Sequence, residues 1–116
     1  MRTTSAGDSA HSGIVTILNQ LFALENKVNK LVGGEALLRN LDRIKEQFEA
    51  WGYSLENPSG QPYDETRTDC DASIAGESTE NLVITDVIKP LIRYRDGMGS
   101  IIVQRAVVVV RDRNSL

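Results

Sequence analysis

The sequence predicts an α+β protein: an N-terminal antiparallel helical hairpin followed by a small all-β head domain. Three observations carry this expectation. Apolar residues recur at helical spacing between Gly13 and Trp51 and then stop. A turn-rich stretch with two prolines, NPSGQPYDE at 57–65, follows. Beyond it lie valine- and isoleucine-rich runs punctuated by Pro90 and by Asp96-Gly97-Met98-Gly99. Helices first and strands after is α+β order, whereas a parallel α/β sheet would alternate them.

Bulk properties bound the possibilities. A chain of 116 residues suits one domain, and 41% hydrophobic with 25% charged residues is ordinary for a globular protein. Aromatics make up 5%, so the core must be aliphatic. A net charge of −3 offers no basic surface for general nucleic-acid binding. No apolar stretch approaches a membrane span, and the start, MRTTSAGDSAHSG, lacks the apolar core of a signal peptide. Cys70 is the one cysteine, so no internal disulfide can form, which fits a reducing compartment. The expectation is a cytoplasmic protein with no cofactor, no metal, no nucleic acid and no membrane partner.

Residues 1–12 are small and polar without periodicity and read as a disordered tail. His11 lies there, and with no other ligand nearby it reads as a solvated residue and not as a metal site or base. Residues 13–52 read as the helical hairpin. Ile14, Leu21 and Val28 form one set at heptad spacing, Ile17, Leu24 and Leu31 the other, and Leu18, Phe22 and Val32 widen the stripe. Gly33-Gly34 ends this helix. Leu37, Leu41, Ile44, Phe48 and Trp51 build a second, flanked by Leu38, with Glu35 in its first turn and Gly52 as its stop.

A lone hairpin leaves an apolar face open. A second copy would cover it as a dimeric four-helix bundle about a two-fold axis. Alternatively, the β part covers the helices within one chain. The width of the stripe and the small size of the β part favour the second copy. The expected dimer interface is Ile14, Ile17, Leu18, Leu21, Leu24, Val28, Leu37, Leu41, Ile44 and Phe48.

Residues 53–112 read as the head and 113–116 as a C-terminal tail. Residues 57–65 are an extended crossing, and 64–81 are polar and acidic with only Ile74 strongly apolar. Strands are expected at 82–88, 91–95 and 100–111, the last two joined by the Asp-Gly hairpin turn. Pro90 separates the first two, since it cannot sit in a central ladder.

The residues needed for catalysis are missing from this pattern, and the chain reads as not an enzyme. There is no second histidine, and Cys70 has no base beside it in sequence. GMGSII has two glycines at the spacing of a dinucleotide loop but lacks the third glycine and the following helix. Asp69, Asp71, Ser73, Glu77 and Glu80 fall at calcium-loop positions, yet Ile74 occupies the place where glycine makes the turn, so the run reads as a solvated acidic loop.

Charge is distributed unevenly. Residues 56–80 hold seven acids and one base, Arg67, whereas 89–113 hold six bases against Asp96 and Asp112. Arg111 and Arg113 fit the role of gatekeepers at the end of a sticky strand. Gln104 and Arg105 do not, because they interrupt an otherwise aliphatic run from Ile101 to Val110. Under period two they lie on opposite faces, each an exception on its face. A polar or basic spot within an apolar surface can mark a partner site.

The stretch GGEALLRNLDRIKEQFEAWGYSLENPSGQPYDE resembles the end of the helical part and the start of the head in GrpE-type nucleotide exchange factors. Trp51-Gly52-Tyr53, Pro58-Ser59-Gly60 and Tyr63-Asp64 look like that family's helix end, turn and aromatic-Asp pair. NLVITDVIKPLIRYRDGMGSIIVQRAVVVV looks like its valine-rich strand, hairpin and closing strand. The family's closing strand carries an Arg-Pro-Ala step, and here the residues are Gln104-Arg105-Ala106. The resemblance covers roughly residues 13–112. It implies a homodimeric co-chaperone whose head wedges against the nucleotide-binding domain of an Hsp70 and promotes ADP release by favouring an open cleft. It also implies that the strands and hairpin of the head carry the contacts, with Arg93, Arg95, Val103, Gln104 and Arg105 as the expected partner-binding residues. The alternative is an interaction or adaptor module of the same shape, with a different partner and no exchange activity.

Overall fold

Two glycines settle how the helices turn. The computed structural model describes residues 6–116, with side chains described from residue 10. Helix α1 spans Ala6–Val28 and α2 spans Glu35–Ala50. Between them Gly33 has φ +80°, a left-handed conformation that favours glycine. A Cβ on Gly34 would stand 2.7 Å from the Val28 carbonyl oxygen, so only glycine allows α2 to start so close beneath the end of α1. Helix α1 begins inside the stretch expected to be a tail, and residues 1–5 of that stretch lie outside the described residues. No described helix is long and apolar enough to cross a membrane.

Gly52 ends α2 with φ +100° and feeds the chain straight into a sheet. Its carbonyl accepts from the Arg95 amide at 2.8 Å. Strand β1 (Tyr53–Glu56) follows, then β2 (Pro62–Tyr63), β3 (Cys70–Ile74), β4 (Leu82–Lys89), β5 (Leu91–Asp96), β6 (Gly99–Gln104) and β7 (Ala106–Asp112), with a short 3-10 turn at Arg113–Ser115. The strands form two sheets. One is three-stranded in the order β1-β5-β6, wholly antiparallel, with Tyr53 opposite Tyr94 and Arg95 opposite Ser100. The other is four-stranded in the order β2-β4-β7-β3, with β3 running parallel to β7. The run expected as one strand over 100–111 is therefore two strands in different sheets, broken at Arg105.

Each sheet has its own core. Leu18, Leu21 and Val28 of α1 and Leu41 and Phe48 of α2 pack with Tyr53 and Ile92 of the three-stranded sheet. Ile14, Val15, Leu38, Leu55, Tyr94 and Val103 are half-buried around them. Cys70, Leu82, Ile84, Leu91, Ala106, Val108 and Val110 form the second core. Leu91 is 1% exposed and Ile92 0%, and the two neighbours point to opposite sides of β5, one into each core.

This arrangement corrects the four-helix bundle. The fold is α+β, but its two helices are covered by the β1-β5-β6 sheet of the same chain and not by a second hairpin. Leu18, Leu21, Val28, Leu41 and Phe48, expected at a dimer interface, lie in the intrachain core, and Ile14 lies partly buried beside it. Ile17, Leu24, Leu37 and Ile44 remain exposed on the outer side of the helices. The β part was underestimated because β1 and the paired face of β5 and β6 offer one continuous apolar surface, a property of pairing and not of any single run.

Leu41→Ala should therefore cost about 2–5 kcal/mol of folding stability, read as a lower urea midpoint without a change in assembly state. Leu21→Asp with Leu41→Asp should give an unfolded chain by near- and far-ultraviolet circular dichroism. A folded double variant would contradict the intrachain core.

Candidate functional site

The β5–β6 hairpin presents an exposed, organised surface. Asp96 makes its turn by accepting the Met98 amide on Oδ1 at 2.7 Å, and Gly99 completes it with φ +136°. Cross-strand pairing sets Arg93 opposite Ile102, Tyr94 opposite Ile101 and Arg95 opposite Ser100. Partners directly opposite share a face. Tyr94 packs toward the helices, so Arg93, Arg95, Ser100 and Ile102 belong to the outer face. Met98 is 96% exposed, Ile101 51% and Ile102 36%.

The expected partner-binding residues divide sharply. Arg95 is exposed, and its guanidinium makes no hydrogen bond or ion pair with any described residue. Arg93 is held: its Nε donates to Glu56 Oε2 at 2.8 Å, and its Nη2 lies 3.7 Å from Asp69 Oδ2. Val103 is half-buried against the helix-side core. Gln104 turns inward. Its amide and that of Asn19 on α1 exchange two hydrogen bonds of 2.8 and 2.9 Å, and Gln104 Nε2 also donates to the Pro90 carbonyl at 2.8 Å. Arg105 lies along the acidic strand β3, donating from Nη2 to the Cys70 carbonyl and pairing from Nη1 with Asp71 Oδ1, both at 2.8 Å. The hairpin thus brings Arg93 and Arg95 to one face, while Gln104 and Arg105 join elements of the chain to each other.

The acidic segment is organised around its one base. Arg67 donates to Asp69 Oδ1 at 2.7 Å, to the Pro62 carbonyl at 3.1 Å and to Gln61 Oε1 at 2.7 Å. Asp69 so receives Arg67 on one side and approaches Arg93 on the other. The hydrogen bond from Arg67 holds its carboxyl below the usual aspartate range. Asp64 is likewise lowered, chiefly by the Thr66 hydroxyl and amide that cap its side chain. Burial, with Asp69 beside it, pushes the Cys70 thiol above its ordinary value and keeps it protonated and unreactive. No group of three or more metal-ligating side chains is gathered among the described residues.

Sequence reasoning missed two features. His11 sits on α1, its Nδ1 2.6 Å from the Tyr53 hydroxyl and its ring 4.6 Å from that of Tyr94. Burial, then the nearby Tyr94, raises the Tyr53 phenol above its ordinary value. Nothing local in sequence signals this contact. The apolar tip formed by Met98, Ile101 and Ile102 was also missed, although its signal was present as unbroken aliphatics beside a hairpin turn. Comparison of the chain with protein-family models, curated proteins and solved structures finds no match.

A depressed carboxylate contributes stability that is complete above its unfolded value, about 3.9, and is lost as pH falls through the folded value. Asp69→Asn should therefore cost about 1–2 kcal/mol at pH 7. The gap to wild type should narrow as pH falls below about 3.9. Urea unfolding at pH 7 and in that acid range measures it, and an equal gap in both would remove the Arg67–Asp69 account.

Proposed function

We propose that the protein acts by binding another protein through the β5–β6 hairpin, as a GrpE-type exchange factor that engages the nucleotide-binding domain of an Hsp70 chaperone and promotes ADP release. One observation carries the choice of surface: Arg95 stands unpaired beside exposed Met98 and Ile102, while Arg93, Gln104 and Arg105 are engaged within the chain. An arginine next to aliphatic side chains on a rigid hairpin is the composition of an interface anchor. The strand order adds support, since a valine-rich β4, the β5–β6 hairpin and a closing β7 follow the acidic segment as the family resemblance implies.

Such a protein works by differential binding. It lowers the free energy of the open nucleotide cleft relative to the closed one, and a tenfold preference for the open state shifts that equilibrium about tenfold. The chemistry demanded of the head is a rigid contact surface. Two sheets, each with its own hydrophobic core, supply that rigidity.

A second reading is an adaptor that binds a different protein without exchange activity. The internal bonds of Gln104 and Arg105 favour it, because these residues stand where the family carries its Arg-Pro step and leave that part of the closing strand occupied.

Release of labelled ADP from an Hsp70 of the host, at saturating protein, separates the two. The exchange reading expects faster release, and no acceleration sinks it. Arg95→Ala should weaken binding to the partner about tenfold, the loss of roughly 1.4 kcal/mol, with an unchanged melting temperature. Calorimetric titration beside a thermal melt checks both values.

A further inference from the structure

We infer that a cavity at the end of the four-stranded sheet where β4 begins binds an organic cation with a guanidinium head on an aliphatic stem, the chemistry of an arginine side chain. The cavity has a volume of 540 Å³, within the range of about 300–1,000 Å³ typical of ligand sites. Residues of β2, of β3 and of the first turn of chain into β4 line it. Its apolar part is made by Tyr63, Ala72, Ile74 and Leu82. Tyr63 stands opposite Leu82 in the β2–β4 ladder, so the two share a face. Ala72 and Ile74 are two apart on β3 and share a face as well. Tyr63 and Ala72 pack, half-buried, against the second core, so the cavity continues that core toward solvent. Asp64 and Glu65 follow Tyr63 directly and line the same space.

The lining selects the charge of the ligand. Two carboxylates line the cavity and no base does. Neither Asp64 nor Glu65 forms an ion pair with a described residue. Asp64 accepts the hydroxyl and amide of Thr66, which are neutral donors and leave its charge uncompensated. The base nearest in sequence, Arg67, is committed to Asp69, Gln61 and the Pro62 carbonyl. Residues 56–80 hold seven acids against that one base, so the field about the cavity is negative. A metal ion does not match the lining, because no three metal-ligating side chains gather among the described residues and a hydrated ion would stand against apolar walls. A neutral apolar ligand would leave both carboxylates without a partner. An alkylguanidinium uses both parts of the lining. Its planar fork carries five N–H donors, enough for two adjacent carboxylates. It is more weakly hydrated than an ammonium and stacks on an aromatic face such as that of Tyr63. Its methylene stem can lie along Ile74 and Leu82. The cavity is separate from the β5–β6 hairpin, since no residue lining it belongs to β5 or β6.

Calorimetric titration of the full chain with Nα-acetylarginine amide and with agmatine tests the site. The first presents the alkylguanidinium as a protein side chain does, the second as a free small molecule. At least one should bind with a Kd of about 0.1–1 mM, and the tighter of the two names the source. Nα-acetylcitrulline amide, the neutral isostere, should not bind in that range. This comparison uses the wild-type chain and so decides the matter even where a variant does not fold. Glu65→Gln should weaken binding about fivefold with an unchanged melting temperature, because Glu65 is exposed. Ile74→Trp, at a position 45% exposed, should fill the cavity and abolish binding. Arg95→Ala should leave binding as it is, which keeps this site distinct from the hairpin. Failure of both arginine compounds to bind in that range overturns the inference. So does equal binding of the citrulline compound, or an affinity unchanged in folded Glu65→Gln or folded Ile74→Trp.

Discussion

Everything in this fold passes through two neighbouring side chains, Leu91 and Ile92. Strand geometry sends them to opposite faces, and each is sealed within a different core. Ile92 closes the helices onto the three-stranded sheet, and Leu91 closes the four-stranded sheet. A slip of one residue along β5 would exchange them and empty both cores at once. The register is therefore fixed from two sides. Pro90 just before them is buried, and its carbonyl is taken by Gln104.

The polar interruption at Gln104-Arg105 belongs to the same constraint. The chain leaves one sheet and enters the other at this point. Backbone and side-chain polar groups at such a crossing must find partners, because an unsatisfied group in a half-buried place costs about 1–3 kcal/mol. Gln104 finds Asn19 and Pro90, and Arg105 finds Cys70 and Asp71. What looked like a defect in one long strand is the joint between two strands. Its side chains fasten the joint to α1 on one side and to β3 on the other.

The sequence made the local features legible. Periods of three and four marked the helices, Gly33-Gly34 and Gly52 marked their ends, and valine-rich runs with Asp96-Gly97 marked β4 and the hairpin. The cover of the helices was not legible. It depends on Tyr53, Ile92 and Val103 meeting on one surface only after β1, β5 and β6 have paired. Strand β3 was hidden for a related reason: CDASI is short and polar, and it becomes a strand through its parallel partner β7. Of the residues chosen for a partner, exposed Arg95 could be read from the hairpin. The inward turn of Gln104 required knowing about Asn19, which pattern alone cannot supply.

The parallel pairing of β3 with β7 has a consequence for biogenesis. β7 lies between β4 and β3 and pairs with both, yet it is translated after every other strand. While β7 is still within the ribosome, Cys70, Leu82 and Ile84 have no Ala106, Val108 or Val110 to pack against. The four-stranded sheet must therefore close late and over long sequence separations, the slow class of strand pairing. Residues 64–81, with Ile74 as their one strongly apolar side chain, have a composition suited to staying solvated until β7 arrives.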